Sequence, residues 1–250
     1  MPDDPTFYLF AIPAVVLIGL AKGGFSGLGA LGTPLMALGI ADPVRAAAIL
    51  LPILIAQDVV GVIAFRRTWD RSVLRAMLPG AAVGIGLGYL LAARISTDAV
   101  MAALGAISIL FGAYRLWAER GGGLEAASRS PGWVGGLFGV ATGFTSQIAH
   151  AGGPLFQMWV LPRQLPHDVL VGTSAIFFAL INWIKVPAYL ALGQFTTANA
   201  LATAALLPFA VLASLAGVKL VRHVSTARFY TIIYLLMILA GIKLLFDGLA

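Results

Sequence analysis

Residues 22–35 read KGGFSGLGALGTPL and residues 143–155 read GFTSQIAHAGGPL, the second a degenerate copy of the first. Each interrupts an otherwise apolar run with glycines and small polar side chains. Two such breaks at matching places in two halves of a membrane protein point to a substrate site built from discontinuous helices. The chain therefore reads as a transporter.

The membrane assignment rests on composition. Sixty per cent of the 250 residues are hydrophobic, 10% are charged, and the mean hydropathy is +0.96. A soluble 26.1 kDa domain with that balance would expose large apolar patches. Apolar runs of 20 or so residues lie at about 44–65, 73–93, 98–118, 168–192, 198–220 and 228–246, each enough for a helix to cross a hydrocarbon core of roughly 30 Å. Two further apolar regions, about 7–40 and 132–161, are split by glycines into pieces of roughly 15 residues and predict helical hairpins. Asp3 and Asp4, with no basic residue, precede the first run, so residues 7–22 read as the first membrane element and not as a cleaved signal. With no cysteine, thiolate metal sites, iron–sulfur clusters and disulfides are excluded, and His150, His167 and His223 lack ligand spacing. Neither metal nor cofactor is expected, and nothing resembles a nucleic-acid module.

The duplication extends beyond the opening motif. Leu78, Pro79, Gly88, Ser96, Thr97 and Gly112 match Leu207, Pro208, Gly217, Ser225, Thr226 and Gly241 at a constant offset of 129. The polar, glycine-rich stretch 119–131 separates the copies and reads as a cytoplasmic linker. The expected organisation is a first membrane repeat at 1–118 and a second at 132–250.

Charge orients the copies. If each split region returns to the side it entered, three single spans remain per half and the second half is inverted. One face then receives Arg66, Arg67, Arg71, Arg75, Arg115, Arg120, Arg129, Arg163, Lys219, Arg222 and Arg228, and the other only Arg45, Arg94 and Lys243. Eleven against three, with Lys22 and Lys185 inside the membrane, obeys the positive-inside rule. The expected fold is an all-α polytopic membrane protein of two inverted-topology repeats, each a glycine-broken hairpin plus three transmembrane helices, with both chain ends outside the cytoplasm.

The hairpin tips carry the chemistry. A helix starting just after each glycine cluster directs unsatisfied N–H groups and a positive dipole end at the break, which favours an anion. Gly24, Gly27, Gly29 and Gly152 permit close backbone approach. Ser26 and Thr33 in the first copy, and Thr145, Ser146, Gln147 and His150 in the second, add neutral donors suited to oxyanion oxygens. Small residues in membrane helices also serve close packing, and the glycines alone do not decide between the two roles. Lys185 and, if the first hairpin is re-entrant, Lys22 supply positive charge; otherwise Lys22 reaches the interface. Asp58 is the one acidic residue deep in a span, with Asn182 its approximate counterpart in the other half. Asp58 and His150 are the candidates for carrying a coupling proton, against readings as a passive ion pair and a backbone hydrogen bond. Thr173 and Ser174 are expected to bond their own helix, with one able to face the path.

The two motifs, the length and the paired halves resemble the TauE/SafE-type sulfite exporters, also called the toluene-sulfonate uptake permease family, along essentially the whole chain. The first motif maps to Gly23 through Pro34 and the second to Gly143 through Pro154, where Gln147, Ile148 and His150 replace small residues. The resemblance implies a non-enzymatic carrier of sulfite, organosulfonates or related sulfur anions in the bacterial cytoplasmic (inner) membrane, most simply an exporter working by alternating access. An anion channel and a proton-coupled importer of the same anions are the alternatives. Expected partners are a small sulfur-containing anion and the lipid bilayer; the reading admits protons as coupling ion and a homodimer.

Overall fold

The computed structural model describes residues 5–24, 28–40, 42–119, 130–220 and 227–250. They form α1 (Pro5–Lys22), α2 (Gly29–Ile40), α3 (Pro43–Phe65), α4 (Arg71–Leu91), α5 (Thr97–Glu119), α6 (Gly132–Ala149), α7 (Gly152–Val160), α8 (His167–Ala191), α9 (Thr197–Leu220) and α10 (Ala227–Leu249), with short 3₁₀ turns at Ala92–Arg94 and Leu161–Arg163. No strand occurs among the described residues. Among the described residues seven helices, α1, α3, α4, α5, α8, α9 and α10, are long and apolar enough to cross a membrane. One of these exceeds the sequence expectation: α1 reaches 18 residues where a piece of roughly 15 was expected, while its partner α2 has only 12. Most of the linker, residues 120–129, and the tip residues Ser26 and Gly27 lie outside the described residues.

Helix starts are set locally. Asp42 precedes Pro43 and accepts from the N–H groups of Val44 and Arg45 at 3.0 and 3.1 Å, capping α3. Asp70 caps α4 in the same way, accepting from Ser72 and Val73 at 2.7 and 3.0 Å. Prolines 13, 34, 52, 79, 187 and 208 sit inside helices, which a membrane bundle tolerates because neighbouring groups re-satisfy the freed carbonyls.

Packing is crosswise. α4 lies on α6 and α9 on α1, while α5 packs on α10 and α3 on α8. Glycines allow these approaches. A Cβ on Gly84 would lie 2.0 Å from the carbonyl of Val140, one on Gly143 2.0 Å from that of Ala81, and one on Gly23 2.5 Å from the Cα of Gly217. Backbone contact of this kind is how membrane helices associate without a hydrophobic drive between them. Two large buried apolar clusters result, one joining α1, α2, α3 and α9 around Phe7, Leu50 and Leu206, the other joining α4, α7 and α8 around Met77, Phe156 and Phe177. Outward-facing Leu9, Ile63, Leu90, Leu110, Leu137, Leu212 and Phe246 are at least 60% exposed, an apolar surface that lipid covers.

Candidate anion site between the two broken hairpins

The second hairpin turns at His150. α6 ends with His150 in the left-handed region (φ 50°, ψ 24°), its N–H bonded to Ser146 O at 3.1 Å, and Ala151 N–H closes the end on Thr145 O at 3.2 Å. Glycine is the usual residue for such a C-terminal turn because it carries no Cβ penalty. Here a histidine occupies it, and its ring is held on both nitrogens: Nε2 lies 2.8 Å from the carbonyl of Ala47 and Nδ1 2.6 Å from Nζ of Lys185. A carbonyl only accepts, so Nε2 carries hydrogen and Nδ1 accepts from the lysine; the imidazole is neutral. Lys185 spends its other donors on Ser146 O and Oγ at 3.2 and 3.0 Å and is fully buried. Tyr189, one turn further along α8, stacks its ring on His150 at 5.9 Å and donates to Gln147 O at 2.8 Å.

In the first hairpin, α1 ends at Lys22 and the chain leaves through Gly24, whose φ of 128° suits glycine alone. Lys22 does not run to the end of the bundle. Its ammonium pairs with Oδ1 of Asp58, well inside α3, and lies 5.0 Å over the ring of Phe178. Asn182 donates to the other carboxylate oxygen of Asp58 at 2.6 Å.

A cavity of about 100 Å³ lies between these two clusters. Both hairpins reach it: Lys22, Gly29 and Thr33 from the first, Ser146, His150 and Gly153 from the second. α2 and α7 touch each other beside it. Asn182 and Ser174 line it from α8. A Cβ on Gly153 would meet open space, whereas one on Gly152 would lie 2.7 Å from Thr142 O, so of the two glycines that open α7 the second borders the cavity and the first serves packing. Lys185 stands behind Ser146 and His150.

Two expected residues face elsewhere. Thr145 bonds back to Ala141 O at 2.8 Å and lines an apolar recess near α5. Gln147 lines a second cavity of about 200 Å³ with Gly88, Tyr189 and Gln194. Thr173 bonds Val169 O at 2.6 Å, as expected of a helix hydroxyl, and leaves Ser174 to face the cavity.

Gln157, Phe178 and Tyr189 were not among the expected site residues. Helical spacing carries the signal for all three. Ser174, Phe178, Asn182, Lys185 and Tyr189 fall on one stripe of α8 at steps of three and four, and Gln157 stands four residues after Gly153 on α7.

The family profile described as "Sulfite exporter TauE/SafE" matches residues 11–244, nearly the whole chain. The chain belongs to the TauE/SafE sulfite exporter family. TauE/SafE proteins are membrane transporters rather than enzymes, and a multi-pass helical bundle enclosing a cavity with a few polar groups in a mostly apolar lining suits such work. The chain matches no curated protein and no solved structure.

Proposed function

We propose that this TauE/SafE protein exports sulfite, a small organosulfonate or a related sulfur oxyanion across the bacterial cytoplasmic membrane by alternating access. One observation carries the reading: the fully buried Lys185 and the partly buried Lys22 flank a small cavity reached by both broken hairpins. Hydroxyls of Thr33, Ser146 and Ser174 and the amides of Asn182 and Gln157 surround it with the neutral donors that oxyanion oxygens require. The halves are inverted repeats, 1–118 and 132–250, which the crosswise pairing of α4 with α6 and α9 with α1 supports together with the eleven-to-three split of basic residues. Both chain ends then lie outside the cytoplasm.

The membrane potential, negative inside, favours anion export by roughly 2.3 kcal/mol per charge per 100 mV. Export therefore does not require a coupled proton, whereas accumulation does, and Asp58 and His150 are the candidates to carry it. Purified protein in liposomes, loaded with labelled sulfite or methanesulfonate, tests the reading. Saturable efflux that accelerates with an inside-negative potential is expected. Absence of flux for every sulfur anion sinks the substrate assignment, and currents far above carrier turnover turn the site into a channel.

A further inference from the structure

Resting on that reading, we infer that the site is built for one net negative charge, so that its substrate class is the monoanion: hydrogensulfite or a monosulfonate, and not a dianion such as sulfate. The inference comes from counting buried charge. Among the charged side chains of the described residues, three gather at the cavity: Lys22 lines it from the end of α1, Asp58 pairs with Lys22 from within α3, and Lys185 stands behind Ser146 and His150. Lys22 and Asp58 cancel, and both carboxylate oxygens are engaged, one by Lys22 and one by Asn182. Lys185 has no such partner. All three of its contacts are to neutral acceptors, and no carboxylate among the described residues lies within 4 Å of it.

A buried ammonium without a counter-charge is costly, and hydrogen bonds to neutral groups offset only part of that cost. The missing charge is supplied at the cavity. Ser146 Oγ accepts from Lys185, which leaves the hydroxyl hydrogen of Ser146 for an oxyanion on the cavity side. The lysine thus acts through the serine at short range and, in a medium of low dielectric, through its field at longer range. His150 adds no charge, because its Nε2–H is spent on Ala47 and its Nδ1 on Lys185. A monoanion brings the site to zero; a dianion leaves a buried charge of minus one. Sulfite dianion meets the count only together with a proton, as hydrogensulfite.

Methanesulfonate and sulfate are near-isosteric tetrahedra that differ in fixed charge, so they separate charge from size. Calorimetric binding of each to the purified full chain at neutral pH and constant ionic strength is the test, with nitrate as a monoanion that lacks sulfur. Methanesulfonate is expected to bind at least about tenfold tighter than sulfate. Asp58→Asn, which raises the site to plus two, is expected to narrow or reverse that ratio, and Lys185→Met, which lowers it to zero, to abolish binding of both in folded protein. Sulfate binding as tightly as methanesulfonate, or Lys185→Met retaining full affinity, overturns the inference. If Asp58→Asn does not fold, the wild-type ratio and Lys185→Met decide. Nitrate binding without either sulfur anion leaves the charge count standing and removes the sulfur substrate; no binding of any anion removes both.

Discussion

His150 and Lys185 fix each other: the imidazole Nδ1 lies 2.6 Å from the lysine Nζ, and the backbone that delivers the ring has a φ of 50°. A side chain in the left-handed region costs roughly 1–2 kcal/mol. From that left-handed position the ring reaches both the carbonyl of Ala47 and the ammonium of Lys185. Glycine at position 150 would relieve the backbone while deleting the ring; alanine would delete the ring and keep the strain. His150→Gly is therefore expected to be more stable than His150→Ala by about 1 kcal/mol in chemical unfolding. Both lose anion transport. Equal stability of the two would show that the turn is not left-handed.

The Lys22–Asp58 pair is expected to behave as a unit. Lys22→Met strands a carboxylate that is buried and helped only by Asn182, and losses of about 3–5 kcal/mol accompany such removals. Asp58→Asn is milder, because the Lys22 side chain remains 12% exposed and borders the cavity. The double variant Lys22→Met/Asp58→Asn, with no stranded charge, is expected to recover most of the stability lost in Lys22→Met. A double-mutant cycle measures the coupling directly. Additive effects would mean that the pair does not form.

Much of this arrangement was legible in the sequence, and the reasons for the rest are physical. Glycine clusters at 23–29 and 152–153 located both breaks, because no other residue punctuates an apolar run so strongly. Lys185, Asp58 and Asn182 stood out because ionisable and amide groups are rare inside spans. Orientation within a short motif was not legible. Thr145, Ser146 and Gln147 are consecutive, so a helix must point them in different directions, and only Ser146 reaches the central cavity. The pairing of Lys22 with Asp58 also needed the fold, since α1 had to stop at the depth of Asp58 for the two to meet.

The crosswise helix contacts make a sharp prediction about glycines in α4. A Cβ on Gly84 would lie 2.0 Å from Val140 O and 2.7 Å from Phe144 N, both backbone atoms of α6, so the two helices would have to separate. Gly84→Ala is expected to destabilise the protein by about 1–3 kcal/mol, as overpacking does. Two residues along, Gly86 has nothing within 4 Å of its Cβ position. Gly86→Ala is expected to be neutral or to stabilise by up to about 1 kcal/mol, through helix propensity and a less flexible unfolded chain. Thermal unfolding of the two variants in the same detergent makes the comparison, and a similar loss in both would contradict the α4–α6 packing.

Asp70, at the entrance to α4 and outside the spans, gives the fold a pH dependence that is independent of transport. The Ser72 hydroxyl, at 2.6 Å, holds its carboxyl below the ordinary aspartate range; burial opposes this, and the backbone N–H groups of Val73 and Ser72 reinforce it. A group whose folded pKa is depressed contributes stability that is fully present above its unfolded value, about 3.9, and is lost as pH falls through the folded value. Asp70→Ala removes the cap and is expected to cost about 1 kcal/mol at pH 7. Acidification from about pH 5 downward should narrow the gap between wild type and variant, because protonation weakens the same acceptor that the substitution deletes. The N–H of Asp70 also donates to Thr173 Oγ1 at 2.8 Å, a backbone contact that alanine keeps, so the loop should stay docked on α8 in the variant. Thermal unfolding midpoints of both proteins across this pH range provide the check. A gap that stays constant down to about pH 3 would show that the capping carboxylate is not what titrates.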